Sequence, residues 1–255
     1  MSIMMQEIHI PNPRIEGGEI YGILSIPNDG EKHPAVIISH GYNGSHATSI
    51  ENCRYYASKG IVALAFDFAG GSRHSRSTGK SVDMSLLTEK DDLHTVVDYV
   101  KNLDCINSKN IFLQGESQGG LVSALLADEI PDEICGMILY YPAFCIPDDW
   151  RKNLSAEKNI PETMNFWGLD LGRTYFETAI STNIEEDTGH YAGPVLIVHG
   201  SSDSIVPLHY AQEAEERFPN ASLVIIDGEG HGFSYAANEK ARDLVAKHVS
   251  GYSEK

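Results

Sequence analysis

Six short apolar runs constrain this 255-residue chain more than any other feature: AVIISH from Ala35, IVALAFDF, NIFLQGE, GMILYYP, PVLIVHG and SLVIID. Each is too short for a buried helix, is rich in Val, Ile and Leu, and lacks polar alternation. Such runs are typical of strands buried on both faces, which is how parallel sheets are built. Helical patterns lie between most of them. From Thr88 to Leu103, the residues Leu93, Val96, Val97 and Val100 recur at helical spacing, and Thr88 with Asp91 predicts a capping box. Pro207 opens a second helix carrying Leu208, Ala211, Glu215 and Phe218, and a last helix aligns Ala241, Leu244, Val245, His248 and Val249. Ahead of these units, EIHI and EIYGILSIP alternate, which predicts an antiparallel start with one wet face on each strand. Strands alternating with helices give a mainly parallel, doubly wound sheet, and such a sheet binds ligands at the carboxyl ends of its strands.

One stretch breaks the rhythm. Residues 145–190 contain no strand-like run, and Trp150, Phe166, Trp167, Tyr175 and Phe176 are mixed there with charges. The stretch is too aromatic for disorder and is expected to form a helical lid inserted in one domain spanning 1–255.

Charge narrows the classes of partner. A formal net charge of −17 without any run of basic residues argues against nucleic acid and anionic membrane surfaces. No segment reaches the roughly 20 apolar residues needed to span a bilayer. The start MSIMMQEIHIPNP lacks the basic and apolar regions of a secretory signal. Cys53, Cys105, Cys135 and Cys145 are scattered without metal-ligand spacing, and Cys135 is expected to be buried and reduced. The expectation is a cytoplasmic protein with no metal and no cofactor, acting on a small molecule; a homodimer is left open.

The residues following the strands carry the chemistry. NIFLQGESQGG holds G-x-S-x-G as Gly115, Ser117 and Gly119, after a buried strand and before an apolar helix. A nucleophile on a strained strand-to-helix turn needs small neighbours so that the backbone can pack. Alone, the pattern could be a Gly-rich turn whose serine caps a helix. Asp203 follows PVLIVHG, and His231 follows SLVIID, so the order Ser117, Asp203, His231 completes a nucleophile, an orienting acid and a general base. Two fixed N–H donors must hold the oxyanion. Gln118, directly after the nucleophile, supplies one; Tyr42, in the loop VIISHGYNGS, is expected to supply the other.

Together HGYNGS, GESQGG, HGSSDSIVP and GEGHGF resemble the α/β-hydrolase superfamily over nearly the whole chain, and within it the bacterial cinnamoyl (feruloyl) esterases. The resemblance implies a serine esterase of the α/β-hydrolase fold, acting on small aryl esters through an acyl-enzyme. It also implies that Asp149, early in the lid, and Tyr175, in LGRTYFETA, contact the phenolic hydroxyl of the substrate. Two features depart from that family. FDFAGGSRHSRS replaces an Arg-Gly-His-Gly turn, and Glu116 stands where those esterases have His before the nucleophile. Arg73 or Arg76 is a candidate partner for Glu116. The competing readings are an acylaminoacyl-peptidase-like enzyme, a general short-chain carboxylesterase or lipase, and a binding protein on the same fold that does not hydrolyse.

Overall fold

The structure is a computed structural model that describes residues 2–154 and 160–253. Its strands are β1 (Ile3–Pro11), β2 (Glu19–Pro27), β3 (His33–Ser39), β4 (Val62–Phe66), β5 (Ile106–Glu116), β6 (Gly136–Tyr140), β7 (Thr163–Phe166), β8 (Leu169–Gly172), β9 (Val195–Gly200) and β10 (Ala221–Ile226). The helices are α1 (Ile50–Ser58), α2 (Leu86–Lys101), α3 (Gln118–Glu129), α4 (Ile146–Leu154), α5 (Arg173–Ser181), α6 (Ile184–Asp187), α7 (Leu208–Arg217) and α8 (Tyr235–Tyr252). Eight strands form one sheet in the order β1-β2-β4-β3-β5-β6-β9-β10. β2 pairs antiparallel with β1 and β4, and all other neighbours run parallel.

The apolar runs explain the layering. In β3, Ala35 and Ile37 pack with Leu93 and Val97 of α2 and Leu121 of α3, while Val36 and Ile38 pack with Cys53 and Tyr56 of α1 and Val245 of α8. Successive side chains of a strand point to opposite faces. A strand covered by helices on both sides therefore favours apolar residues at most of its positions. Each fully buried Val, Leu or Ile contributes about 1.5–3 kcal/mol of transfer free energy, so this central register is strongly specified.

Several expectations need correction. β2 is not half wet: it lies between β1 and β4, and nearly all of its residues are buried. β10, expected to be covered on both faces, forms the far edge, and Ile225 is exposed. The cap of α2 is Ser85, whose side chain accepts from Thr88 N while Thr88 Oγ1 accepts from Ser85 N, so the box sits three residues before the expected one. Cys135 is only half-buried.

The stretch between β6 and β9 is not all helix. It runs α4, a β7–β8 hairpin, α5 and α6, with residues 155–159 of the expected lid outside the described residues. The hairpin turns on Trp167 and Gly168, with φ of 43° and 82°. Two consecutive positive φ values are what a two-residue hairpin of type I′ requires. Among the described residues, no helix is long and apolar enough to cross a membrane.

Candidate active site

Ser117 sits between β5 and α3 with φ 53° and ψ −117°. That conformation disfavours an L-residue and is held from both sides: Ser117 N donates to Tyr140 O of β6, and Ser117 O accepts from Gly120 N and Ala143 N. The flanking glycines are steric necessities. A Cβ at Gly115 would come within 2.3 Å of Gly119 O, and one at Gly119 within 2.4 Å of Ser39 O. The turn thus lifts the Ser117 side chain clear of the sheet edge.

Two loops bring partners to it. Asp203 follows β9, and its Oδ1 accepts from the backbone N–H groups of Ile205 and Val206, each at 2.9 Å. Its other oxygen faces His231, with Nδ1 to Oδ2 at 2.8 Å, and His231 Nε2 lies 2.9 Å from Ser117 Oγ. With Asp203 ionised, Nδ1 carries the proton and Nε2 accepts from the serine hydroxyl. His199 supports the acid loop by donating from Nε2 to Val206 O at 2.9 Å; burial holds its pKa below the usual range, so it stays neutral. The three residues picked out in the sequence therefore meet in one hydrogen-bonded row.

The loop after β3 packs on the serine: a Cβ at Gly41 would lie 2.9 Å from Ser117 Cβ. The Gly41 carbonyl accepts from His40 Nδ1 at 2.7 Å and from Gly44 N at 3.0 Å. Since a trans peptide points its C=O and N–H in opposite directions, anchoring that oxygen turns Tyr42 N–H away from His40. His40 is fixed in turn, because its Nε2 accepts from Phe68 N at 3.1 Å. Asp67 accepts from His46 N and Arg76 N, which ties the same loop to the FDFAGGSRHSRS segment. This bracing was not foreseen: the HG pair was legible, but not what its histidine does. Gln118 N is the first amide of α3 and has no intrahelical acceptor, so it is available beside Ser117.

Two cavities meet at Ser117 and share Tyr42, Trp167 and Ile205. The first, about 300 Å³, includes Glu116, Tyr141, His231 and Phe233. The second, about 330 Å³, includes Gln118, Asp149, Trp150, Phe166 and Tyr175. Its aromatic wall is a packed cluster, with Trp150 edge-on to Phe166 and Phe176 at centroid distances of 5.0 and 4.8 Å. Tyr42 Oη donates to Phe166 O at 2.7 Å, linking the β7–β8 hairpin to the loop after β3.

Asp149 and Tyr175 thus line the same cavity, but their surroundings differ. Asp149 is exposed, whereas Tyr175 is buried and its hydroxyl donates to Gln118 Oε1 at 2.8 Å. Gln118 Nε2 donates to Glu89 Oε2 at 2.7 Å, and burial raises the Glu89 carboxyl to about 8. Tyr175 therefore also holds the side chain next to the nucleophile, a task the sequence did not reveal. Glu116 does not pair with Arg73 or Arg76. Its Oε1 accepts from Ser49 Oγ at 3.2 Å, while Arg76 is engaged by Glu7 and Tyr21. Among the described residues, no three His, Cys, Asp or Glu side chains cluster closely enough to hold a metal ion.

Residues 30–173 match a family model described as serine aminopeptidase, S33, and residues 174–251 match one described as TAP-like protein. The chain belongs to the α/β-hydrolases. Est1E from Butyrivibrio proteoclasticus, solved with ferulic acid bound, is 30% identical to this hydrolase, with a TM-score of 0.82 over 96% of this chain and 97% of that one. A putative carbamate hydrolase, RutD, from Caulobacter sp. (strain K31) is 27% identical over 93% of the hydrolase and 99% of its own length. The AB hydrolase superfamily protein YisY of Bacillus subtilis is 24% identical, covering 88% and 94% respectively.

Proposed function

We propose that this hydrolase is a serine carboxylic-ester hydrolase that works through an acyl-enzyme on small aryl esters of the hydroxycinnamoyl type. The observation that carries the proposal is the hydrogen-bonded row Ser117–His231–Asp203 opening onto a cavity walled by Trp150, Phe166 and Tyr175. His231 removes the proton from Ser117 as its oxygen attacks the ester carbonyl. The N–H groups of Tyr42 and Gln118 hold the oxyanion of the tetrahedral intermediate. Collapse breaks the ester C–O bond, and His231 passes its proton to the departing alcohol. A water deprotonated by His231 then releases the acid by the same steps in reverse order.

The aromatic cavity suits the acyl part, since flat apolar rings bury an aryl group with little loss of side-chain freedom. The likeness to Est1E, which has been solved with ferulic acid bound, supports this choice of acid. Asp149, exposed on the same wall, accepts a hydrogen bond from the distal phenolic hydroxyl.

A panel of methyl hydroxycinnamates, short acetyl esters and aminoacyl arylamides tests the reading: it expects the hydroxycinnamates to be cleaved with the highest kcat/KM. A preference for the arylamides would favour a peptidase instead. In the same assay Asp149→Ala should lower kcat/KM for a hydroxycinnamate by about 0.5–1.5 kcal/mol, the net contribution of a hydrogen bond made by a solvent-accessible group. Its effect on an acetyl ester should be slight. Tyr175→Phe should depress both substrates, because it also frees Gln118. Equal losses on both esters from Asp149→Ala would remove that residue from substrate recognition.

A further inference from the structure

Glu116 is the sequence feature that the proposed chemistry leaves unused, and it lies next to Ser117. It lines the first cavity together with His231 and Phe233, whereas the second cavity does not include His231. The base that protonates the departing alcohol must face that alcohol, so the first cavity is the leaving-group side. Of the two carboxylate oxygens of Glu116, Oε1 accepts from Ser49 Oγ; Oε2 has no protein partner among the described residues and is not sealed from the cavity. No Lys or Arg is among the lining residues, although burying a carboxylate without a cation is costly. Burial accordingly raises this carboxyl to about 7, and the Ser49 hydroxyl offsets only part of that.

The rest of the cavity suits a cation. Tyr141 and Phe233 stand edge to face at 4.8 Å, and Tyr141 packs on the His231 ring at 4.6 Å. Aromatic faces attract cations, most strongly where water is excluded. The whole chain, at −17, draws cations and repels anions.

We infer that Glu116 makes the first cavity a subsite for leaving groups that carry a protonated amine, the ammonium N–H donating to the Glu116 carboxylate against the Tyr141–Phe233 wall. The inference rests on the ester-hydrolase reading and specifies the alcohol half of the substrate. It also gives a reason for Glu at a position where a neutral residue would pack more cheaply. Binding a cation restores the charged form of the carboxyl, so the cost of burying Glu116 is offset only when the right alcohol is present.

The test uses three esters of one acid: 2-(dimethylamino)ethyl, its uncharged isostere 3-methylbutyl, and 2-hydroxyethyl, each assayed with wild type and with Glu116→Gln. In wild type, kcat/KM for the dimethylaminoethyl ester should exceed that for the 3-methylbutyl ester by about tenfold or more, as expected for a charge-assisted hydrogen bond away from water. Glu116→Gln should shrink that ratio to within about threefold, a selective loss that a purely structural role would not produce. Equal rates on the charged ester and its isostere in wild type overturn the inference and leave ester hydrolysis standing. So does a ratio that survives Glu116→Gln, and so does a preference confined to the hydroxyethyl ester, which would mark a subsite for neutral polyols. Failure to cleave any of the three overturns the ester-hydrolase reading and the inference with it. Should Glu116→Gln not fold, the wild-type ratio decides.

Discussion

Ser117→Ala is expected to fold like the parent and to lose about 10⁵- to 10⁶-fold in kcat, since nucleophile and base act as one unit. Among the described residues the side chain hydrogen-bonds to His231 alone, and the backbone bonds that hold the strained turn do not involve Oγ. Alanine keeps the Cβ already accommodated there, so a thermal melt should move little while turnover of an aryl ester collapses. Retention of even a hundredth of wild-type kcat would mean that a different group attacks the ester.

Asp203→Asn should cost on the order of 10⁴-fold in kcat by inverting the imidazole tautomer. The backbone N–H groups of Ile205 and Val206 require an oxygen at Oδ1. The asparagine amide is therefore placed with its NH₂ toward His231. That group can only donate, so Nδ1 must accept, and the proton moves to Nε2, where it faces the Ser117 hydroxyl and cannot take its proton. The geometry makes Asp203 difficult to replace. The neighbouring carboxylate Asp227 instead accepts from Ser201 Oγ at 3.0 Å. A nearly neutral Asp203→Asn, measured as kcat on an aryl ester, would show that another carboxylate orients the base.

The parts of the fold legible in the sequence are those governed by local physics. A strand covered on both faces is apolar at most positions, and a turn that clashes with any Cβ must be glycine, so AVIIS, GMILY and G-x-S-x-G announced themselves. The same logic misplaced β10: Leu223 packs on one side of the sheet and Val224 and Ile226 on the other, all only partly buried, while Ile225 is exposed at the sheet edge, and edge position depends on strand order rather than composition. The β7–β8 hairpin was hidden because its turn uses Trp167 at positive φ, where Asn or Asp is the usual signal. At the site, the row Ser117, Asp203 and His231 was readable from order along the chain. The supports were not. Tyr175 to Gln118 and Gln118 to Glu89 join residues 57 and 29 positions apart, and the Ser49 hydroxyl reaches Glu116 across 67. No periodicity records such contacts, which exist only once the sheet has brought its loops together.

The central claim is that Ser117 is a nucleophile activated by His231. Labelling the folded chain with a fluorophosphonate, followed by intact mass and peptide mapping, tests it most directly. The account predicts one adduct, carried by Ser117, complete loss of esterase activity in step with labelling, and little reaction in His231→Ala or in heat-denatured protein. An unlabelled chain that still cleaves esters, or an adduct on another residue that tracks the loss of activity, would contradict it.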